Sequence, residues 1–124
     1  MTDVTANTWQ EFVAHRPDAN FLQSLEWAEL HEQLGDTVLR DGIFDGGKLV
    51  GGWQGIVKNA RRGRYLEVPG APLIDWSDAN AVQTAIGQLR RAARQHKCVF
   101  VRIRPQLPDN DTNRSVLTSA GLRK

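Results

Sequence analysis

Residues 61–76, RRGRYLEVPGAPLIDW, decide how the chain folds, because here a basic loop leads into a short apolar strand and then into a break. We predict the strand over residues 64–68. Pro69 ends it, since proline has no N–H with which to continue the ladder of a central strand. The sequence therefore predicts a strand inside the sheet and a gap in the sheet at residues 69–72.

The charge of the chain changes sign close to this stretch. Residues 1–57 hold nine Asp or Glu and three Lys or Arg, a balance of −6, whereas residues 58–124 have a balance of +8. Such a split favours a face that accepts anions. Solvated helix faces of opposite sign account for the same numbers, so charge alone does not identify a partner.

Length and composition predict one domain with a real core. The chain has 124 residues, of which 40% are hydrophobic and four are Trp, enough to bury about two-thirds of the unfolded surface. There is no run of eighteen apolar residues, and the N-terminus lacks the basic and apolar regions of a signal peptide. We therefore expect a cytoplasmic protein.

The cysteine and histidines predict neither a disulfide nor a metal site. Cys98 is the single cysteine and lies in an apolar run, so we expect a small buried hydrophobic side chain. The three histidines, His15, His31 and His96, lie far apart without the spacing of metal ligands. A His at the border of an apolar helical stripe, as His31 is, is more often a packing residue than a ligand.

Two helices are predicted before residue 36. Thr8 and Glu11 have the spacing of a capping box, which predicts a first helix over residues 8–16. Ser24 can cap a second helix that Gly35 ends. Its apolar positions, Trp27, Leu30 and Leu34, share one helical face.

A hairpin follows the second helix. Residues 38–44 and 49–58 flank the turn sequence DGGK at 45–48, whose glycines readily adopt the positive φ angles of tight turns. Glycine is unfavourable inside a strand, so Gly51, Gly52 and Gly55 predict a bulge or the close approach of another group.

The second half of the chain predicts helix, strand and helix. Asp78 can cap a helix over residues 79–96, which has five apolar residues at helical spacing, and Asp111 or Thr112 can cap a last helix that closes at Gly121. Between them, residues 98–104 form a strand. Val99, Val101 and Ile103 share one face of this strand, and the other face holds Cys98, Phe100, Arg102 and Arg104. The alternating arginines are candidates for a functional role.

Several catalytic motifs are absent from the sequence. There is no glycine-rich phosphate loop between a strand and a helix, no Gly-x-Ser-x-Gly, no convincing His partner for Cys98 and no evident pair of carboxylates. An enzyme built from this chain would act by positioning its substrates with arginines and backbone groups.

The order of elements, helix, helix, hairpin, strand, helix, strand, helix, resembles the GNAT acyltransferase fold up to its fourth helix. It implies an α+β domain with a mixed, mostly antiparallel sheet flanked by helices and incomplete at the C-terminus. The acetyl-CoA loop that this family has after the third strand, Arg/Gln-x-x-Gly-x-Gly/Ala, is replaced by VPGAP at residues 68–72. We therefore expect no acetyl-CoA and no other cofactor.

Three patterns together resemble the Fem-type (FemABX) aminoacyltransferases. They are FLQSLEWA at 21–28, RYLEVPGAPL at 64–73 and VFVRIRP at 99–105. Members of that family have two GNAT-like domains and transfer amino acids from aminoacyl-tRNA to the peptide of a peptidoglycan precursor. The order and spacing of the patterns match about the first third of a family member. The sequence AGL at 120–122 is similar to the glycine and aromatic residue that follow the fourth helix in that family. The resemblance implies that residues 1–124 are a single GNAT-like domain, the N-terminal portion of a longer Fem-type protein or a reduced homologue.

The resemblance also implies candidate substrate contacts. His31 stands where family members have a Lys that meets the nucleotide phosphates, and Arg102 is retained. Val99 replaces a Tyr, and Arg104 replaces an Asp that has been suggested as proton acceptor. Arginine does not lose its proton in proteins, so Arg104 cannot be a general base. We expect these departures to leave anion binding as the role of this strand.

The substrate-binding residues expected from the resemblance are therefore His31, Arg102 and Arg104 at the phosphates, Arg61, Arg62 and Arg64 in a basic rim, and Tyr65 and Gly70 beside them. No catalytic residue is assigned. The implied partners are UDP-linked or lipid-linked muropeptide for this chain, and aminoacyl-tRNA for the missing C-terminal part.

Three hypotheses remain open. The first is the precursor-binding part of a peptidoglycan aminoacyltransferase, inactive in transfer on its own. The second is a non-catalytic binding or assembly module with the same fold, and the third is a small-molecule N-acyltransferase that uses an acyl-CoA. A sheet edge exposed by the missing strands would favour a homodimer.

Overall fold

The computed structural model describes residues 4–61, 63–105, 107, 110–119 and 121–122, and its elements follow the predicted order. A short 3-10 helix, Phe21–Gln23, is added before the second helix. The helices are α1 (Ala6–Ala14), α2 (Leu25–Gln33), α3 (Ala79–Gln95) and α4 (Asp111–Ser119). The strands are β1 (Thr37–Asp45), β2 (Lys48–Ala60), β3 (Gly63–Pro69) and β4 (Phe100–Arg104). The predicted α+β class is confirmed.

The four strands form one sheet in the order β1, β2, β3, β4. The first two pairs are antiparallel and the pair β3 and β4 is parallel, with α3 as the crossover between them. The predicted hairpin is confirmed, since Gly46 and Gly47 have φ angles of 58° and 85° in the turn that joins β1 to β2. The predicted bulge is present in β2, where Val50 is the extra residue between Leu49, aligned with Phe44, and Gly51, aligned with Ile43.

The main core lies between the sheet and α3. Trp53 of β2 and Leu66 and Val68 of β3 point to this side and are buried. The apolar stripe predicted for α3 is confirmed, because all five of its residues are buried: Val82, Ala85, Ile86, Leu89 and Ala93. Within the described residues no helix has the length and apolar character that would let it cross a membrane.

The opposite side of the sheet carries α1 and the 3-10 helix, and here a glycine lets the layers approach closely. Trp9 of α1 is fully buried. A Cβ placed on Gly52 would lie 2.6 Å from the carbonyl oxygen of Asp41 and 2.9 Å from the Trp9 ring. The close approach predicted from the glycines of β2 is therefore confirmed.

A buried glutamine completes the sheet where β3 leaves it. Backbone pairing of β2 with β3 stops at Ile56 and Glu67, and resumes only where Gly52 pairs with Leu73. Between these rungs the side-chain amide of Gln23 donates to the carbonyl oxygens of Gln54 and Pro69, at 2.9 and 2.7 Å, and accepts from the Gln54 N–H at 2.9 Å. Gln23 therefore supplies the rung that Pro69, lacking an N–H, cannot form.

The same glutamine connects the helical layer to the sheet. The indole N–H of Trp9 donates to the Gln23 carbonyl at 2.8 Å, and the Gln54 side chain donates to the Ser24 carbonyl at 3.0 Å. The Gln54 amide oxygen in turn accepts from Nε of Arg40 at 2.6 Å. Burial lowers the pKa of Arg40, an effect that the carboxylate of Glu32 partly opposes. One network thus joins α1, the start of α2 and the two strands of the hairpin.

Two helix starts differ from the prediction, while the caps at Ser24 and Asp78 are confirmed. The N-cap of α1 is Thr5, whose Oγ1 accepts from the N–H of Thr8, so Thr8 lies inside the first turn. Both threonines have a capping side chain, and only Thr5 has the extended backbone that a cap requires. In α4 the side chain of Asn110 accepts from the N–H of Asn113, so the predicted caps Asp111 and Thr112 are helical residues.

The apolar face predicted for α2 is confirmed at Trp27 and wrong at Leu30 and Leu34. Leu30 and Leu34 are 50% and 68% exposed, whereas Trp27 and Ala28 are buried and His31 is half-buried. The 3-10 helix that precedes α2 is held to the sheet by Gln23, and this attachment sets how the helix turns. The direction of α2 therefore follows from a buried polar contact rather than from its leucines.

The start of β4 also differs from the prediction. The strand begins at Phe100, after a turn in which Lys97 has a φ angle of 59°. As a result Cys98 packs against the core and Val99 is 65% exposed, the reverse of the alternation expected from the sequence. Val101 and Ile103 contact the core as predicted.

We predict that Gln23→Ala lowers the free energy of unfolding by about 3 kcal/mol, because each buried backbone group left unpaired costs about 1–3 kcal/mol. Urea unfolding of the variant and the wild type measures this difference. Gln10→Ala, at an exposed position of α1, is the matched control and should change stability by less than about 0.5 kcal/mol. Equal midpoints for the two variants would show that the Gln23 rung contributes nothing.

We predict opposite effects of alanine at two glycines. Gly52→Ala places a Cβ against backbone and should destabilise by about 1–3 kcal/mol, the usual cost of overpacking. A Cβ at the helical Gly87 has nothing within 4 Å, so Gly87→Ala should stabilise by about 0.5–1 kcal/mol. Thermal unfolding of both variants checks the sign of each change, and a neutral Gly52→Ala would contradict the close packing of Trp9 on β2.

Candidate functional site

An exposed surface with two arginines lies on β3 and β4, on the side of the sheet opposite α3. The register aligns Tyr65 with Phe100, Glu67 with Arg102 and Pro69 with Arg104. Side chains alternate along a strand, so Tyr65, Glu67, Phe100, Arg102 and Arg104 all point to this side. We call these five residues the arginine face. Phe100, Arg102 and Arg104 are exposed and the other two are half-buried.

Two stacked rings form the base of the arginine face. Tyr65 and Phe100 are direct neighbours across the strands, and their ring centroids lie 4.8 Å apart with only 5° between the planes. The guanidinium carbon of Arg102 lies 5.5 Å from the Tyr65 ring centroid, within the range of a cation–π contact. This contact orients the guanidinium, whose N–H groups have no hydrogen-bond partner among the described residues.

Arg104 forms a weak ion pair within the same face. Its guanidinium lies 3.7 Å from the Glu67 carboxylate, and the side chains are 65% and 16% exposed. At this distance the pair is not a hydrogen bond, and pairs that water can reach contribute little to stability. An incoming anion can therefore replace Glu67 as the partner of Arg104 at low cost.

Gly70 joins the end of β3 to β4 through its backbone. Its N–H donates to the Arg104 carbonyl at 2.8 Å, so this donor is not free for a ligand. Gly70 has a φ angle of 74°, and a Cβ there would lie 2.8 Å from the side-chain amide of Asn20. Both observations explain why glycine is needed at this position.

Two arginines of the predicted basic rim, Arg61 and Arg64, lie within the described residues. Arg64 lies on the α3 side of the sheet, because the alternation of β3 places it opposite to Tyr65. Its Nε is buried, and none of the described residues forms a hydrogen bond with it. Burial raises the pKa of the nearby Cys98 thiol, and the charge of Arg64 partly opposes this rise. Arg61 is exposed in the turn before β3, and Arg62 lies outside the described residues.

His31 lies apart from the arginines. Its Nδ1 is 2.7 Å from the Asp36 carboxylate, and its ring packs 4.4 Å from that of Trp27. α2 contacts β1, which is the edge of the sheet opposite to β4. The structure therefore brings Tyr65, Arg102 and Arg104 together, and it does not place His31 in contact with them.

Sequence reasoning missed two members of the face as candidates, Glu67 and Phe100. The alternation of β4 already placed Phe100 beside the arginines, but its stack on Tyr65 depends on the register between two strands that are distant in sequence. Alternation along one strand carries no information about that register. Among the described residues there is also no group of three His, Cys, Asp or Glu side chains that could hold a metal ion.

Solved structures show the same fold. FemX matches 97% of this chain with a TM-score of 0.86 and 21% sequence identity, and the match covers 31% of the FemX chain. The apo aminoglycoside antibiotic 6'-N-acetyltransferase AAC(6')-IG from Acinetobacter haemolyticus matches all of this chain and 88% of its own, with a TM-score of 0.63 and 14% identity. Glucosamine-6-phosphate N-acetyltransferase from Arabidopsis thaliana matches 99% of this chain and 88% of its own, with a TM-score of 0.62 and 10% identity.

These matches confirm the GNAT-like fold predicted from the order of elements. They also show that the chain spans about a third of FemX, 31% of its length. No curated protein gives a significant match to the sequence. At these identities the solved structures establish the fold alone.

The family follows from the sequence rather than from the fold. The FemAB family profile matches residues 4–120, which is nearly the whole chain and includes all three patterns that resemble Fem-type proteins. The chain belongs to the FemAB family.

Proposed function

We propose that this chain is the precursor-binding part of a Fem-type aminoacyltransferase of peptidoglycan bridge synthesis, and that the arginine face holds the anionic part of the muropeptide. One observation carries the proposal. In a FemAB family member, two guanidinium groups lie on an exposed aromatic surface without a strong partner of their own.

The geometry of the face suits a phosphate. A guanidinium offers several N–H donors in a planar fork that matches phosphate oxygens, and hydrogen bonds between charged groups are the stronger ones. Arg102 is held in place by Tyr65, and Arg104 by Glu67. Both cations are thus partly ordered before binding, which lowers the entropy cost of forming the complex.

His31 lies toward the opposite edge of the sheet, so in this proposal it contacts the muropeptide apart from the anion that the arginine face holds. Asp36 occupies its Nδ1 and orients the ring, which leaves Nε2 for the ligand. Tyr65 contributes to ligand binding in this proposal, both by orienting Arg102 and through its own ring. Gly70 and Arg64 have structural positions instead, since the Gly70 N–H is used by Arg104 and Arg64 lies on the other side of the sheet.

The reaction proposed for the full protein exchanges an ester for an amide. The amine of the stem peptide attacks the aminoacyl ester carbonyl, a C–N bond forms, and the C–O bond to the tRNA breaks. The amine loses one proton and the released tRNA hydroxyl gains one. In this proposal the aminoacyl-tRNA binds sequence that corresponds to the rest of FemX, so we expect residues 1–124 to bind precursor without transferring an amino acid.

A non-catalytic binding module is the second candidate, and Arg104 favours it. Arginine here replaces the Asp that the resemblance associates with proton transfer, and it cannot take up a proton. An acyl-CoA enzyme is disfavoured because the backbone N–H that follows β3 is bonded to Arg104 rather than free for a phosphate. Homodimer formation is proposed for either candidate, since β4 is paired on one side only among the described strands.

We predict that Arg102→Ala combined with Arg104→Ala weakens binding of UDP-linked muropeptide about tenfold or more, since a hydrogen bond to a charged group contributes about 1.5–3 kcal/mol. Amide NMR titration measures the affinity and shows that the fold persists. The matched control combines Arg90→Ala with Arg94→Ala, which removes the same charge from exposed positions of α3. If both double variants lost the same affinity for muropeptide, the effect would come from net charge alone, and the assignment of the site to the arginine face would be wrong.

We predict that acetyl-CoA leaves the amide spectrum of residues 1–124 unchanged, whereas muropeptide shifts the resonances of the arginine face. Saturable shifts with acetyl-CoA alone would favour a conventional acyltransferase. Transfer from charged tRNA separates the remaining two candidates. A longer protein that contains this chain and transfers the amino acid is an aminoacyltransferase, and one that binds muropeptide without transfer is a binding module.

A further inference from the structure

A cleft lies at the other edge of the sheet from the arginine face, between β1 and α3. Its volume is about 360 Å³. Val4, Leu39 and Ala92 form apolar parts of its wall, and Trp53, Gln88 and Arg91 contribute polar groups. The cleft shares no residue with the arginine face, because β1 and β4 are opposite edges of the sheet. It therefore calls for a separate explanation.

Two buried polar atoms of the cleft wall have no hydrogen-bond partner within the part of the chain that the structure describes. Trp53 is 1% exposed, and its indole N–H donates to none of the described groups. The side chain of Gln88 donates from Nε2 to the Gly42 carbonyl at 2.8 Å, while its Oε1 is buried and accepts from none of the described groups. A buried polar group without a partner costs about 1–3 kcal/mol. A ligand with both an acceptor and a donor would satisfy the two atoms together.

The edge of β1 offers backbone groups at the same place. Arg40 is aligned with Gln54, whose backbone N–H and C=O bond to Gln23 on the β3 side. In an antiparallel pair of this kind the backbone groups of both residues point away from each other, so those of Arg40 point outward. Among the described residues they have no hydrogen-bond partner. At the next outward position, Gly42, the side chains of Asp41 and Gln88 already bond the N–H and the C=O.

We propose that this cleft binds a short peptide in extended conformation, which pairs with Arg40 as an added strand and turns one peptide group toward Trp53 and Gln88. A peptide is the ligand class in which each unit carries a carbonyl acceptor for the indole and an N–H donor for the glutamine. Addition of a strand to an exposed sheet edge is a recurrent mode of peptide recognition. The volume is far larger than the roughly 30 Å³ that one water occupies in the liquid, so a single bridging water does not fill it.

Peptide binding at this edge goes beyond the function proposed above and does not depend on it. The arginine face recognises anions, whereas the groups assigned to bond this peptide are the uncharged indole, amide and backbone, and Arg91 lines the cleft without an assigned contact. A neutral peptide therefore tests the cleft without engaging Arg102 or Arg104, and failure of either proposal leaves the other standing.

The test is a titration of isotope-labelled protein with acetyl-trialanine amide, followed by the indole and amide N–H resonances. We expect a saturable shift of the Trp53 indole and of the Arg40 amide. The Trp9 indole, which already donates to Gln23, is the internal control and should not move. The same peptide with every amide nitrogen methylated keeps its carbonyls but loses its donors, and it should not bind.

Two variants test the named groups. Trp53→Phe keeps a ring but removes the donor, and Gln88→Leu removes the acceptor. Each should weaken binding of the peptide about three- to tenfold, the value of one neutral hydrogen bond. Gln83→Leu, at an exposed position on the same helix, is the matched control and should bind as the wild type does.

The wild-type titration alone can overturn the proposal, whether or not the variants fold. An unmoved Trp53 indole at millimolar peptide, or an indole that exchanges magnetisation only with water, would show that the cleft holds solvent. Shifts confined to β4, or equal shifts with the methylated peptide, would show that strand addition at β1 does not occur.

Discussion

The fold depends on one side-chain amide, that of Gln23, which forms the hydrogen bonds that a backbone group would otherwise form. Pro69 has no N–H, so β3 cannot pair with β2 at Gln54 and would leave buried backbone groups unsatisfied. The amide of Gln23 lies in this position and bonds both strands. The strand can therefore leave the sheet without an unpaired buried group, and the helical layer is attached at the same point through Trp9.

The three patterns that resemble Fem-type proteins meet at this break. Gln23 belongs to the first and bonds Pro69 of the second, and the N–H of Gly70 bonds the carbonyl of Arg104 in the third. The second pattern thus contacts both of the others, through Pro69 and through Gly70. The arginine face depends on the same junction, since the bond from Gly70 fixes the end of β4 that carries Arg104.

The sequence predicted what local periodicity determines and missed what distant contacts determine. The stripe of α3, the DGGK hairpin and the end of β3 at Pro69 follow from spacing and backbone chemistry, and all are confirmed. The orientation of α2 was wrong because Gln23, and not Leu30 or Leu34, sets it. Of the candidate site, alternation placed Arg102 and Arg104 on one face, whereas their proximity to Tyr65 and Phe100 required the register between β3 and β4.

The charges of the arginine face explain why it should prefer an anion to its own carboxylate. Glu67 is aligned with Arg102, yet its carboxylate lies near Arg104, while Arg102 lies over Tyr65. One carboxylate thus faces two guanidinium groups, and the face keeps an excess positive charge. A cation–π contact at an exposed site contributes only about 0.5–1 kcal/mol, and an exposed ion pair no more than that. The ion pair is weaker than a hydrogen bond between a guanidinium and a phosphate, so binding would replace it with a stronger contact while Arg102 keeps its position over Tyr65, without rearranging the sheet.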